Sequence, residues 1–260
     1  MSRNEREDRL GEIKYNKQKC LMKIVGYNSS HDIIVEFQDE HKEKVHTNYK
    51  CFESGSVKNP YFPSIFGVGI LGTKYSSKKD KVIVKEYRVW YDMLQRCYDD
   101  KYKKEHPTYQ NAICCNEWLN YENFYEWIHS QKNFEKWLKG ERWAIDKDIL
   151  VKHNRIYSPD TCCLVPQNVN SLFITNKKVR GSLPIGVIKL KNGFRASCKN
   201  PFTNKNQWID LCETEICAFQ QYKTFKENII KQIAQIEYDK GNIIEKCYQA
   251  MMNYIVEIDD

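Results

Sequence analysis

The residues whose types and spacing suit chemistry lie between Trp143 and Asn170. Asp146 and Asp148 come first, then His153 and Asn154, then Asn168 and Asn170. Carboxylate and amide oxygens with an imidazole close by are the donor types that gather around a hard divalent cation such as Mg2+ or Mn2+. One such ion with a bound water is the core requirement for hydrolysing a phosphodiester.

WAIDKDIL reads as a strand whose side chains alternate, so Asp146 and Asp148 share one face and Lys147 takes the other. Two carboxylates on one face repel unless a cation or a set of donors lies between them. A divalent ion meets that need, and so do ion pairs with Lys152, Arg155 or Arg142; both readings stand at this point. His153 and Asn154 then fall in a turn, Tyr157-Ser158-Pro159-Asp160 makes a second turn, and CCLVP is a short apolar strand. Gln167-Asn168-Val169-Asn170 opens a helix, a place where Asn commonly serves as a cap.

The surrounding pattern implies an α+β chain. After a charged start, LMKIVGY, DIIVEF and KVHTNY are β-rich runs separated by turn residues, and they suggest a small barrel-like region. An extended connection rich in Gly, Pro, Ser and Lys ends near Lys74. From Glu86 the period is helical, with Val89, Trp90, Met93, Leu94 and Cys97 on one face, and a second helix gathers Trp118, Phe124, Trp127 and Ile128 as core. Beyond the polar stretch, three short strands with a turn at Lys191-Asn192-Gly193 precede a long amphipathic helix from about Thr214. Gly241 breaks that helix, and IIEKCYQAMMNYIVEI reads as a final helix with an acidic tail. The boundaries expected are 1–74 (β-rich region and linker), 75–176 (central helices and polar unit), 177–240 (sheet and long helix) and 241–260 (last helix and tail).

Charge points to a polyanion. The formal net charge is +7, and between Lys177 and Asp239 eleven Lys/Arg stand against six acids, so that segment holds five of the seven surplus charges. Eleven cysteines, an odd number, with no signal peptide and no apolar run of membrane-spanning length, suit a reducing compartment. Cys114/Cys115 and Cys162/Cys163 are adjacent pairs, but no C-x-x-C occurs and no His has finger spacing, which argues against structural zinc.

The stretch from Tyr87 to Asn170 resembles the HNH, or ββα-metal, endonucleases of phage and mobile elements. The resemblance is carried by Arg96-Cys97-Tyr98, the CCNEW ending in Trp118, IDKDIL, HNRIYSPDTCCLVP and Asn170. It implies a ββα unit in which Asp146 and Asn170 bind one Mg2+ or Mn2+ and Asn154 braces the loop. The family's general base is a first-strand His, and here that position is Lys147. A lysine acts as a base only after its pKa falls by roughly three units, and flanking Asp residues push it the other way. His153 and Asp148 are the alternative bases. Thr161 also stands where the family has a middle Asn.

Ser182 to Gln235 resembles the APETALA/ethylene-response-factor DNA-binding domain through PIGV, GFRAS and EICAFQQYK in order. The resemblance implies a three-stranded sheet in the major groove, braced by the helix. Its candidate DNA contacts here, with the adjoining Arg180, are Arg180, Lys189, Lys191, Arg195, Lys199, Lys205 and Trp208. The combined expectation is a monomeric, cytoplasmic protein of a bacterial or phage-infected cell that binds double-stranded DNA and no membrane. It either hydrolyses phosphodiester bonds with one divalent cation, or keeps the scaffold without the cut as a regulator or mobile-element factor. Stacking of exposed RNA bases on Trp208 is a third reading.

Overall fold

The computed structural model describes residues 9–174 and 181–260. The chain divides into two compact units, Met1–Glu126 and Trp127–Asp260. Helix and strand are mixed in both, as an α+β chain requires. No helix among the described residues is long and apolar enough to cross a membrane.

In the first unit, β1 (Ile13–Tyr15), β2 (Leu21–Ser29), β3 (Asp32–Phe37) and β4 (Lys44–Thr47) pair in chain order as an antiparallel meander. Alternation puts Met22 and Ile24 of β2 and Ile33, Val35 and Phe37 of β3 on one buried face. The expected barrel-like closure does not occur: β1 and β4 are the two edges of an open sheet. Alternation reports only that one face is buried, and here a helix meets that demand. The chain after β4 leaves the strand at Asn48, whose side chain caps α1 (Tyr49–Glu53), and Phe52 of α1 packs into the apolar face. The short hairpin β5 (Lys78–Lys79) and β6 (Val82–Ile83) precedes α2 (Lys85–Tyr98), which buries Trp90, Met93, Leu94 and Cys97. Trp90 Nε1 donates to the Trp118 carbonyl at 2.7 Å, and Trp118 meets Phe124 edge-on. α3 (Asp100–Glu105) and β7 (Ile113–Cys114) follow, and α4 (Tyr121–Ser130) runs into the second unit.

The second unit continues with α5 (Phe134–Leu138), then β8 (Trp143–Asp146) antiparallel to β10 (Cys163–Pro166). The loop between them carries β9 (Ile156–Tyr157), and α6 (Gln167–Asn170) follows β10 at once. A three-stranded antiparallel sheet comes next: β11 (Val187–Leu190), β12 (Gly193–Asn200) and β13 (Lys205–Cys212).

One helix backs both substructures. α7 (Glu215–Asp239) is capped by Thr214, whose hydroxyl accepts from the Cys217 amide at 3.2 Å. At 25 residues it is about 37 Å long. Its first half packs Ala218, Phe219 and Tyr222 under Val187, Ala196, Cys198 and Cys212 of the sheet. Its second half packs Ile229, Ile230, Ile233 and Ala234 against Ile149, Cys163, Val165 and Val169 beside the β8–β10 hairpin. α8 (Glu245–Met252) completes that second core with Cys247 and Met251. α8 is shorter than expected. The chain beyond it turns away to satisfy other partners: the Val256 amide donates to Glu227 and the Val256 carbonyl accepts from Lys223.

Candidate nucleic-acid interface and the adjoining polar loop

Strand β8 stops at Asp146. Asp146 Oδ1 accepts the backbone N–H of Asp148 at 2.8 Å and of Ile149 at 2.7 Å, closing a turn, so Asp148 leaves the strand. The expected pair of carboxylates on one strand face is therefore not formed. Asp146 is buried, and burial raises its pKa, while the two backbone donors pull it back.

Lys147 fills the space where the second carboxylate needs a countercharge. Its Nζ lies 2.7 and 2.8 Å from the two Asp148 carboxylate oxygens and donates to the Asn154 carbonyl at 2.7 Å. The ring of Tyr157 lies 5.9 Å from the ammonium, and the Lys147 side chain is only 15% exposed. Asn154 ties the loop together: its amide nitrogen donates to the carbonyls of Lys147 and Ile156, and its oxygen accepts the Ile156 amide. Thr161 closes the second turn by donating to the Ile156 carbonyl at 2.7 Å. Asn170 ends α6, half-buried, on the helix that lies against β8.

Several oxygens that a divalent cation would draw on are already engaged. Asp146 Oδ1 caps a turn, and the neighbouring acid already holds an ammonium in bidentate contact. A protonated lysine locked between a carboxylate and a carbonyl has no lone pair to offer a water.

His153 points elsewhere. Its Nε2 lies 3.1 Å from Glu257 Oε2 and 3.8 Å from Asp260 Oδ1. These three side chains offer donor atoms within 4.8 Å of one another, a spacing that could hold an ion. Lys152 already supplies the charge, at 2.8 Å from Glu257 and 2.9 Å from Asp260, with Tyr254 beside it. Lys152 and His153 pull Glu257 down to about 2. Burial works against the Lys152 charge, but the two carboxylates outweigh it and raise the pKa. The cluster is thus an ion-pair clasp that fastens the tail to the loop.

The sheet presents a different surface. Register pairs Ile188 with Arg195 and Arg195 with Leu211, Ser197 with Trp208, and Lys199 with Asn206. Directly paired residues share a face, so this set lies opposite Val187, Ala196, Cys198 and Cys212, which pack on α7. Trp208 is 52% and Leu211 42% exposed. Arg195 is flanked by the two aliphatic side chains, and its Nε is buried with no hydrogen-bond partner. Of the remaining candidates, Lys189 pairs with Phe194 on the helix side, Lys191 occupies the β11–β12 turn, and Lys205 begins β13. Arg180 lies outside the described residues.

Sequence reasoning missed Lys152, Glu257 and Asp260 as a unit, because the partners are more than a hundred residues apart. It also missed Glu237, a buried carboxylate that receives Asn242 at 2.7 Å and Asn168 at 3.1 Å and so ties α6 to α7. An acid at the end of an amphipathic helix gives no such signal. Compared with family models, with curated proteins and with solved structures, the chain matches none, so function has to be reasoned from these surfaces.

Proposed function

We propose that this chain binds double-stranded DNA through the outward face of β11–β13 and uses the β8–β10–α6 hairpin as scaffold, without cutting. The observation that carries the reading is the outward face of the sheet, where Arg195 lies between Ile188 and Leu211 with Ser197, Lys199 and an exposed Trp208 alongside. A twisted antiparallel ribbon fits the major groove, where Arg pairs with guanine and apolar side chains meet thymine methyl groups. The surplus of basic residues in this segment supplies the sequence-independent attraction to phosphate.

Lys147 supports the non-cutting form over hydrolysis, since its ammonium is the cation that the loop is built around. A plasmid-nicking assay with Mg2+ or Mn2+, run beside a duplex gel-shift on the same protein, tests both halves. Binding without nicking is the expected result. Metal-dependent nicking that Asp146→Asn abolishes would restore the hydrolytic reading, and failure to retain any duplex would remove the DNA reading altogether.

A further inference from the structure

A cavity of about 840 Å3 opens beside β11, α7 and the C-terminal tail. That volume lies within the range of small-molecule sites. Phe173, Val187, Tyr254 and Val256 give it an apolar wall, and Lys189 and Lys226 contribute the positive charge. The two lysines on adjacent turns of α7 are treated differently by the fold. Lys223 is saturated, with Glu227 at 2.8 Å and the Val256 carbonyl at 2.7 Å. Lys226 lines the cavity and has no hydrogen bond or ion pair among the described residues, and burial lowers its pKa, with Cys198 opposing slightly. Asp260 also lines the cavity, but its carboxylate is held by Lys152. Lys226 is half-buried, and an ammonium without a protein partner beside an apolar wall leaves a place for an anion.

We propose that this cavity binds an amphipathic monocarboxylate, its apolar body against Val187, Tyr254 and Val256 and its carboxylate on Lys226. Lys226 is the half-buried ammonium of the cavity, whereas Lys189 is exposed, and one such contact suits a single negative charge, while a doubly charged phosphate requires more donors. The cavity also touches Ile188, Ser197 and Asn206 of the sheet, but the proposal does not depend on the DNA reading.

The test uses the full chain, with the anionic fluorophore 8-anilinonaphthalene-1-sulfonate as reporter and decanoate and decanol as competitors. The expected result is saturable fluorophore binding, with decanoate displacing it at roughly tenfold lower concentration than decanol, the worth of one charge-assisted contact. Lys226→Met should erase that preference while decanol still competes, and Lys226→Arg should keep most of it. Removing a partly buried charge does not threaten folding, and the comparison on the native chain stands without any variant. Equal potency of the two competitors on the native chain, an unchanged preference in Lys226→Met, or no saturable binding would each overturn the proposal.

Discussion

Asp146 and Lys147 decide how the polar loop is to be understood, and each makes a separable prediction. If Asp146 is a turn cap, Asp146→Asn keeps both acceptor contacts and removes a buried charge, so stability at neutral pH should be unchanged or slightly higher. Asp146→Ala should cost about 1–2 kcal/mol in urea unfolding, the usual penalty for losing a cap. The pH dependence has a sign. A carboxylate whose folded pKa is raised contributes stability below its unfolded pKa and loses it as pH rises through the folded value, so the Asn variant should gain on the native chain above that range. For Lys147→Met the expected loss is about 1–3 kcal/mol, because Asp148 and the Asn154 carbonyl lose their shared donor. Unchanged stability would mean that these contacts do not hold the loop. Asp146 stood out by residue type and spacing, while the bracing role of Asn154 was what the family resemblance implied. What Lys147 touches was not legible, since its partners depend on Asp146 ending the strand early.

Among the elements, the sheet has a close backbone approach at the start of its middle strand. Gly193 enters β12 at φ +141°, and a Cβ there would lie 2.4 Å from the Cys212 carbonyl oxygen on β13. Gly193→Ala should therefore cost roughly 2–3 kcal/mol and weaken duplex binding through loss of sheet geometry. The tail makes a pH prediction of its own. Glu257 is depressed from 4.5 to about 2, so its contribution is present above the unfolded value and fades as pH falls from about 4.5 to about 2. Exchange protection of the Ile185 amide, which donates to the Ile258 carbonyl, should fall over that interval beyond the intrinsic rate change. Unchanged protection would mean that the clasp does not hold the tail. The strands β2 to β4 and β11 to β13 were readable because alternation and turn residues are local signals. Open meander versus barrel was not readable, because closure depends on whether β1 and β4 meet, and a helix residue, Phe52, covered the apolar face instead.

At the scale of the whole molecule, charge and architecture give one expectation. The sheet and the β8–β10 hairpin share α7 as a common support, so a groove-docked sheet also fixes where the hairpin stands. The direct measurement is fluorescence anisotropy of a labelled duplex across a salt series, comparing the native chain with the Arg195→Ala/Lys199→Ala double variant. The account predicts that native affinity falls steeply with salt, and that the double variant binds more weakly with a log–log slope shallower by about one to two. Identical affinity and slope for the two proteins would contradict it.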